Sequence, residues 1–216
     1  MGSVIGDLLP LAVGVAISPI PIIAAILMLL AKNARATSIA FAVGWLAGIV
    51  IATVIFVLVG GAVDDTAGSS GVSWIKLVLG VLLLLLGVRQ WRGREDTSAP
   101  KWMAAIDTMK PLAAIGIGFA LAAINPKNLM MCIGAGVAIG AGALPAGQTA
   151  VCVLIFALLA AITVLIPVIG YLVAADRLRV PLENLKEWLQ AHNHAVMAVL
   201  FVVIGVMLIG KSLGGL

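Results

Sequence analysis

Residues 112–143 read LAAIGIGFALAAINPKNLMMCIGAGVAIGAGA, an apolar run interrupted once, by Asn125-Pro126-Lys127-Asn128. As a single helix the run of roughly 32 residues would reach ~48 Å, too long to stand upright across a ~30 Å hydrocarbon core. Proline lacks a backbone donor and clashes with the preceding turn, so the helix must break at Pro126. Asn125 suits the N-cap and Pro126 the first helical position, which predicts a second half-helix starting there. Its free N–H groups and partial positive charge then fall near the bilayer midplane, and Lys127 adds a full charge at the same depth. A lysine at that depth costs about 2.5–3.5 kcal/mol on insertion scales, which marks it as a functional residue. Snorkelling does not explain it: the nearest interface is roughly 15 Å away and the lysine stem reaches ~6 Å.

The rest of the chain puts this run in a membrane. Of its 216 residues 63% are hydrophobic and 10% charged, and the mean hydropathy is +1.23. A soluble domain of this size has too little interior to hide that much apolar surface. The apolar segments are continuous and about 20 residues long rather than alternating ten-mers, which points to helices and not to a barrel. Six spans are expected, at Leu8–Ala31, Ser38–Gly60, Val72–Val88, Leu112–Ala143, Gln148–Ala174 and Ala195–Ile209. Trp74 and Trp91 bracket the third as interface anchors, and Pro167 is expected to kink the fifth. The start of the chain has no basic n-region and no small-residue cleavage site, so the first span is expected to be retained.

Charge sorts the loops. Ten of the thirteen basic residues follow spans one, three and five: Lys32, Arg35, Arg89, Arg92, Arg94, Lys101, Lys110, Arg177, Arg179 and Lys186. The positive-inside rule puts those loops in the cytoplasm and both termini outside a plasma (inner) membrane. The net charge of +4 is therefore a topology signal and implies no nucleic-acid partner. Two cytoplasmic stretches, Lys101–Lys110 and Pro181–Gln190, read as short interfacial helices on the inner leaflet. Cys132 and Cys152 lack C-x-x-C spacing and read as packing residues. His192 and His194, two apart, do not share a helix face, so neither a metal site nor a cofactor is expected.

The chain also repeats itself. Ala16-Ile17-Ser18-Pro19 aligns with Ala123-Ile124-Asn125-Pro126, and Lys76-Leu77-Val78-Leu79-Gly80-Val81 resembles Leu200-Phe201-Val202-Val203-Ile204-Gly205-Val206, each in the third span of its half. Three spans per half is an odd number, so the halves insert with opposite orientation. The expected fold is an all-α membrane protein of six transmembrane helices in two inverted three-helix repeats, spans one and four being broken at proline. Residues 1–88 form the first repeat, 89–111 a basic cytoplasmic linker and 112–216 the second repeat.

Ser18 and Pro19 should open a half-helix in span one as Asn125 and Pro126 do in span four, with both N-termini converging near the midplane. Two positive dipole ends and Lys127 favour a carboxylate, phosphate or sulfate. Ser18 and Asn128 could add hydrogen bonds, and Pro21 reinforces the irregularity of span one. The expected substrate-binding set is thus Ser18, Pro19, Pro21, Asn125, Pro126, Lys127 and Asn128. No carboxylate lies within a span, which argues against cation transport, and leaves Lys127 as the titratable candidate at depth if transport is proton-coupled. Small-x-x-x-small pairs at Gly44/Gly48 and Gly136/Gly140 mark close helix packing.

The two motifs Ser18-Pro19-Ile20-Pro21 and Asn125-Pro126-Lys127-Asn128, on six spans in two repeats, resemble the lysine exporter superfamily. Within it the whole chain looks most like the actinobacterial branch of peptidoglycolipid- and sulfolipid-addressing proteins. The resemblance implies export, of envelope glycolipids in the addressing branch and of amino acids or metal ions in others. Amino-acid exporters usually carry Pro-Gly-Pro in span one, where Ile20 here replaces the glycine. Related thiol–disulfide carriers place cysteines beside the equivalent prolines, and this chain does not.

The expectation is an exporter of an anionic cell-envelope lipid or glycolipid. The alternative is a small-solute exporter that binds an amino acid or similar carboxylate at the same site. A large sugar head would need more room than six spans enclose, which a lateral groove, a homodimer or association with a larger lipid-export pump would supply. An intramembrane enzyme built on a Ser18–Lys127 pair is not expected, because capping explains Ser18 and no oxyanion donors are evident. A passive channel with paired Asn-Pro half-helices would need a second asparagine where Ser18 stands.

Overall fold

The computed structural model describes residues 1–93, 106 and 108–213, with side chains at all of these except 63–72 and 176. Six helices follow in order: α1 (Gly2–Ala16), α2 (Pro19–Leu30), α3 (Ala34–Arg92), α4 (Pro111–Ala123), α5 (Pro126–Gly140) and α6 (Ala146–Leu213). Among the described residues there is no β-strand.

Both prolines break their runs. At the first break, Ile17 N–H donates to Val13 O at 2.9 Å and Ser18 N–H to Val15 O at 3.1 Å, closing α1 before Pro19 opens α2. The axis turns there by 52°. At the second, Ile124 and Asn125 N–H both donate to Ala120 O, Pro126 opens α5, and the axis turns by 62°. Each bent pair is one membrane-span candidate, α1–α2 as span one and α4–α5 as span four. The four long candidates are Ala34–Ala62 (span two), Ser73–Arg92 (three), Ala146–Ala175 (five) and Arg177–Leu213 (six). Only 28–44% of the most apolar stretch of each long candidate is buried. Residues such as Leu58, Leu85, Ile166 and Val173 face outward, an arrangement that suits hydrocarbon and not water. Trp74 and Trp91 stand exposed near the two ends of span three, as anchors should.

Glycines set the helix directions. Gly44 packs on Ile115 and Gly48 on Phe119 and Ala122, while Gly136 packs on Thr53 and Phe56 and Gly140 on Val57. Numbers rise together on both sides, so span two runs parallel to span four. A Cβ at Gly136 would lie 2.6 Å from Phe56 Cβ and 2.7 Å from Thr53 O, so both small-residue pairs of the sequence lie on one tight seam. Span three reverses direction. Gly60 touches Val137 while a Cβ at Gly134 would lie 3.9 Å from Leu79, although a straight helix would separate residues 60 and 79 by ~28 Å. Span three then runs antiparallel to span six, with Gly80 against Gly205 and Gly87 against Ala198 and Phe201. α1 and α2 pack on α6, and the shared core holds Leu8, Leu11, Met28, Trp45, Met131 and Phe156.

Several expectations are corrected. Pro181–Gln190 is not a separate helix lying on a leaflet. It forms the early turns of one helix from Arg177 to Leu213, where Leu182 and Leu189 are buried and Leu185 and Trp188 exposed. The break before it falls at Ala174 (φ −145°, ψ 53°), and helical φ/ψ continues through Pro167. Ser18 occupies the N-cap of α2, but its side chain makes no capping hydrogen bond. The proposed helix at Lys101–Lys110 lies mostly outside the described residues; of it, Ile106 is buried in the core.

Candidate functional site

Each break frees carbonyl groups that a continuous helix would satisfy, and each is repaired differently. In span one, Thr163 Oγ1 of span five donates to Ala16 O at 2.5 Å. In span four, Asn125 N–H bypasses Leu121 O, which accepts instead from Asn128 Nδ2 at 2.8 Å. These bonds let irregular backbone persist at membrane depth, where an unpaired carbonyl costs several kcal/mol. On the other face of the second break, Asn125 Oδ1 accepts from Lys127 N–H at 3.1 Å and caps α5.

The α5 N-terminus meets a cavity of about 440 Å³. Asn125, Pro126 and Lys127 line one side, Ile20 of α2 another, Arg89 and Gln90 of span three a third, and His194 and Met197 of span six a fourth. Lys127 is 2% exposed and its Nζ has no hydrogen-bond partner. Arg89 is exposed, so the cavity grades from an accessible arginine to a buried lysine. His194 Nδ1 lies 2.6 Å from Gln90 Oε1, tying spans three and six together at the cavity wall. Among the described residues no carboxylate lines this space. A helix N-terminus, an unpaired ammonium and a guanidinium therefore act together, and the chemistry they suit is an anion.

The opposite end is closed. Leu8, Leu11, Met131 and Ile204 are buried there. Beyond them Asp7 of α1 is paired with Lys211 of span six and, at 3.9 Å, with Lys76 of span three. Lys76 and Gln90 are about 14 residues apart along span three, or ~21 Å, so the ion cluster and the cavity occupy different ends of the bundle.

Of the seven residues expected at the site, Asn125, Pro126 and Lys127 line the cavity. Asn128 is fully buried with its amide occupied by Leu121 O, a repair of the break, and its Oδ1 is unpartnered. Ser18, Pro19 and Pro21 are buried beside the first break, and from that motif only Ile20 reaches the cavity. Arg89, Gln90, His194 and Thr163 were not singled out as site residues from sequence. Arg89 reads there as a loop charge, His194 as one of two unpaired histidines, and Thr163 as one hydroxyl in an apolar span.

Residues 8–214 match the family described as Sap, sulfolipid-1-addressing protein. The chain belongs to that family. The match covers both broken spans, the cavity and all but the edges of the chain, so this is a sulfolipid-1-addressing family member with apolar helices fit for a membrane. No curated protein and no solved structure matches it.

Proposed function

We propose that this family member is an exporter that moves an anionic cell-envelope lipid or glycolipid towards the cell surface, its headgroup entering the cavity at Lys127. The observation that carries the reading is the buried Lys127 Nζ, unpaired at a helix N-terminus on a cavity wall. An ammonium without a partner at that depth is unfavourable, and a visiting anion would stabilise it. At about 440 Å³ the cavity suits a headgroup or a small solute and not a whole glycolipid. The lipid tails would remain in the bilayer. The family description supports a sulfate as the anion.

The basic ends of spans one, three and five would face the cytoplasm of the plasma membrane, with both termini outside. The cavity would then open inward while Asp7, Lys76 and Lys211 close the outer end. An inverted repeat supports alternation between such states. Gly80 and Gly205, which the internal repeat pairs with one another, are in reciprocal contact: a Cβ on either would lie 2.8–2.9 Å from the other's carbonyl oxygen. A pseudo-two-fold axis through that crossing would produce such a contact. A homodimer or a larger lipid pump would accommodate bulky sugar heads. No catalytic step is assigned to the site.

The test compares surface-extracted lipids from host cells lacking the protein with cells complemented by wild type or Lys127→Ala. A glycolipid class that leaves the surface in the deletion and returns only with wild type supports the reading. Full restoration by Lys127→Ala would refute the role of the site. Unchanged surface lipids throughout, with altered efflux of an amino acid, would favour the small-solute reading.

A further inference from the structure

Spans three and six enclose more than the polar cavity. On the outer, bilayer-facing side of the same two helix segments lies a second space, a groove of about 360 Å³ bordered by Val88, Trp91, Arg92, Val199, Val202 and Val203. Its valines are exposed, and among the described residues its only charged border is Arg92. The wall between groove and cavity is thin. Gly87 and Ala198 line the groove, while their neighbours Leu86, Arg89 and Met197 line the cavity. At Gly87 a Cβ would already lie 3.1 Å from Val202 Cγ2, 3.3 Å from Phe201 Cβ and 3.4 Å from Ala198 O, so the seam is packed tightly where the backbone of span three meets span six.

We propose that this groove seats an acyl chain of the same lipid whose headgroup occupies the cavity, and that the Gly87–Ala198 seam is the lateral portal between them. The inference rests on the anionic-lipid reading above. Three features commit the groove to this occupant. It is separated by one residue layer from the cavity that holds Lys127. Arg92 stands at its rim, close to Trp91, where a headgroup would pass. It is also unlike the other outward groove, about 460 Å³ between spans two and five, which is lined by Val54, Leu58, Thr149 and Leu154 and has no charged residue on its border among the described side chains. That second groove shows what contact with bulk lipid alone would look like.

The experiment uses the full chain in vesicles with two photoreactive probes carrying the same diazirine-bearing chain, one on a sulfated headgroup and one on a zwitterionic headgroup. Crosslinks are mapped by mass spectrometry. The expected result is several-fold more labelling of the Val88–Arg92 and Val199–Val203 segments by the sulfated probe. The groove at Val54 and Leu154 should label equally with both probes. Val203→Trp, a change at an exposed position, should reduce labelling of the portal groove while leaving the Val54 groove unchanged, which also reports that the variant is folded. Lys127→Gln should erase the preference for the sulfated chain.

Equal labelling of the portal groove by both probes would overturn the proposal, leaving ordinary boundary lipid. A sulfated probe that binds in a Lys127-dependent way but crosslinks elsewhere would overturn the portal and keep the headgroup site. Sulfated-probe binding that ignores Lys127→Gln altogether would overturn the reading on which the portal rests.

Discussion

Replacing Lys127 with methionine should make this protein more stable and less active. The side chain is 2% exposed and its Nζ has no partner, so among the described residues no carboxylate offsets the cost of an ammonium there. Methionine keeps much of the stem's volume and removes the charge. Insertion scales put a central lysine at about 2.5–3.5 kcal/mol. Solvent entering the cavity past the exposed Arg89 would relieve part of that, which leaves a gain of about 1–2 kcal/mol. For a chain of this size that corresponds to a rise in Tm of about 2–8 °C. The assay is thermal unfolding in detergent followed by tryptophan fluorescence, with and without a short-chain alkyl sulfate. At a hundred times its Kd the ligand should stabilise wild type by about 2.7 kcal/mol. It should leave Lys127→Met unmoved. A variant that melts below wild type would mean that the lysine is held by a structural partner. One that still responds to the sulfate would mean that the anion binds elsewhere. Either result refutes the reasoning.

Other consequences are sharp enough to measure in the same preparation. Thr163→Val should strand the Ala16 carbonyl and lower stability by about 1–3 kcal/mol, whereas Thr163→Ser should not. Asn125→Ala removes the cap on α5 and should cost about 1 kcal/mol, with weaker anion binding as the helix end frays. Gly80→Leu should prise spans three and six apart and abolish a monodisperse peak in size-exclusion chromatography. Gly61→Ala, which meets nothing within 4 Å, should be neutral or stabilising by under about 1 kcal/mol. Asp7→Asn should lower stability by no more than about 1 kcal/mol, since the cluster is partly exposed. The same change should speed labelling of a cysteine placed at Leu8 by a membrane-impermeant reagent, because it unlatches the closed end.

Much of the architecture was legible because it depends on local chemistry. The two breaks follow from prolines that cannot donate, and the bends of 52° and 62° occur at Ser18-Pro19 and Asn125-Pro126, where the sequence places them. Asn125 caps as its side chain predicts. Ser18, identical in position, does not, so the pattern of a cap identifies where a helix starts better than what its side chain bonds. The helix from Arg177 was misread for a related reason. Pro181 lies inside the helix, past the first-turn positions where a missing donor costs nothing, so a residue that usually separates helices here sits within one.

Residue order alone is enough to place the chain in the membrane as helices, to locate the breaks in its spans and to put a lysine deep within one. These follow from transfer free energies and hydrogen-bond valence, which act residue by residue and need no knowledge of neighbours. What the lysine shares its space with depends on how the helices pack. Arg89, Gln90 and His194 come to Lys127 from two other spans, and Thr163 reaches Ala16 across 147 residues. The close seams at Gly136 and Gly80 rotate particular faces of spans two, three and six inward. That choice rests on which small residues meet across helices, a property of pairs far apart in the chain, and it turns a buried charge into one wall of a cavity.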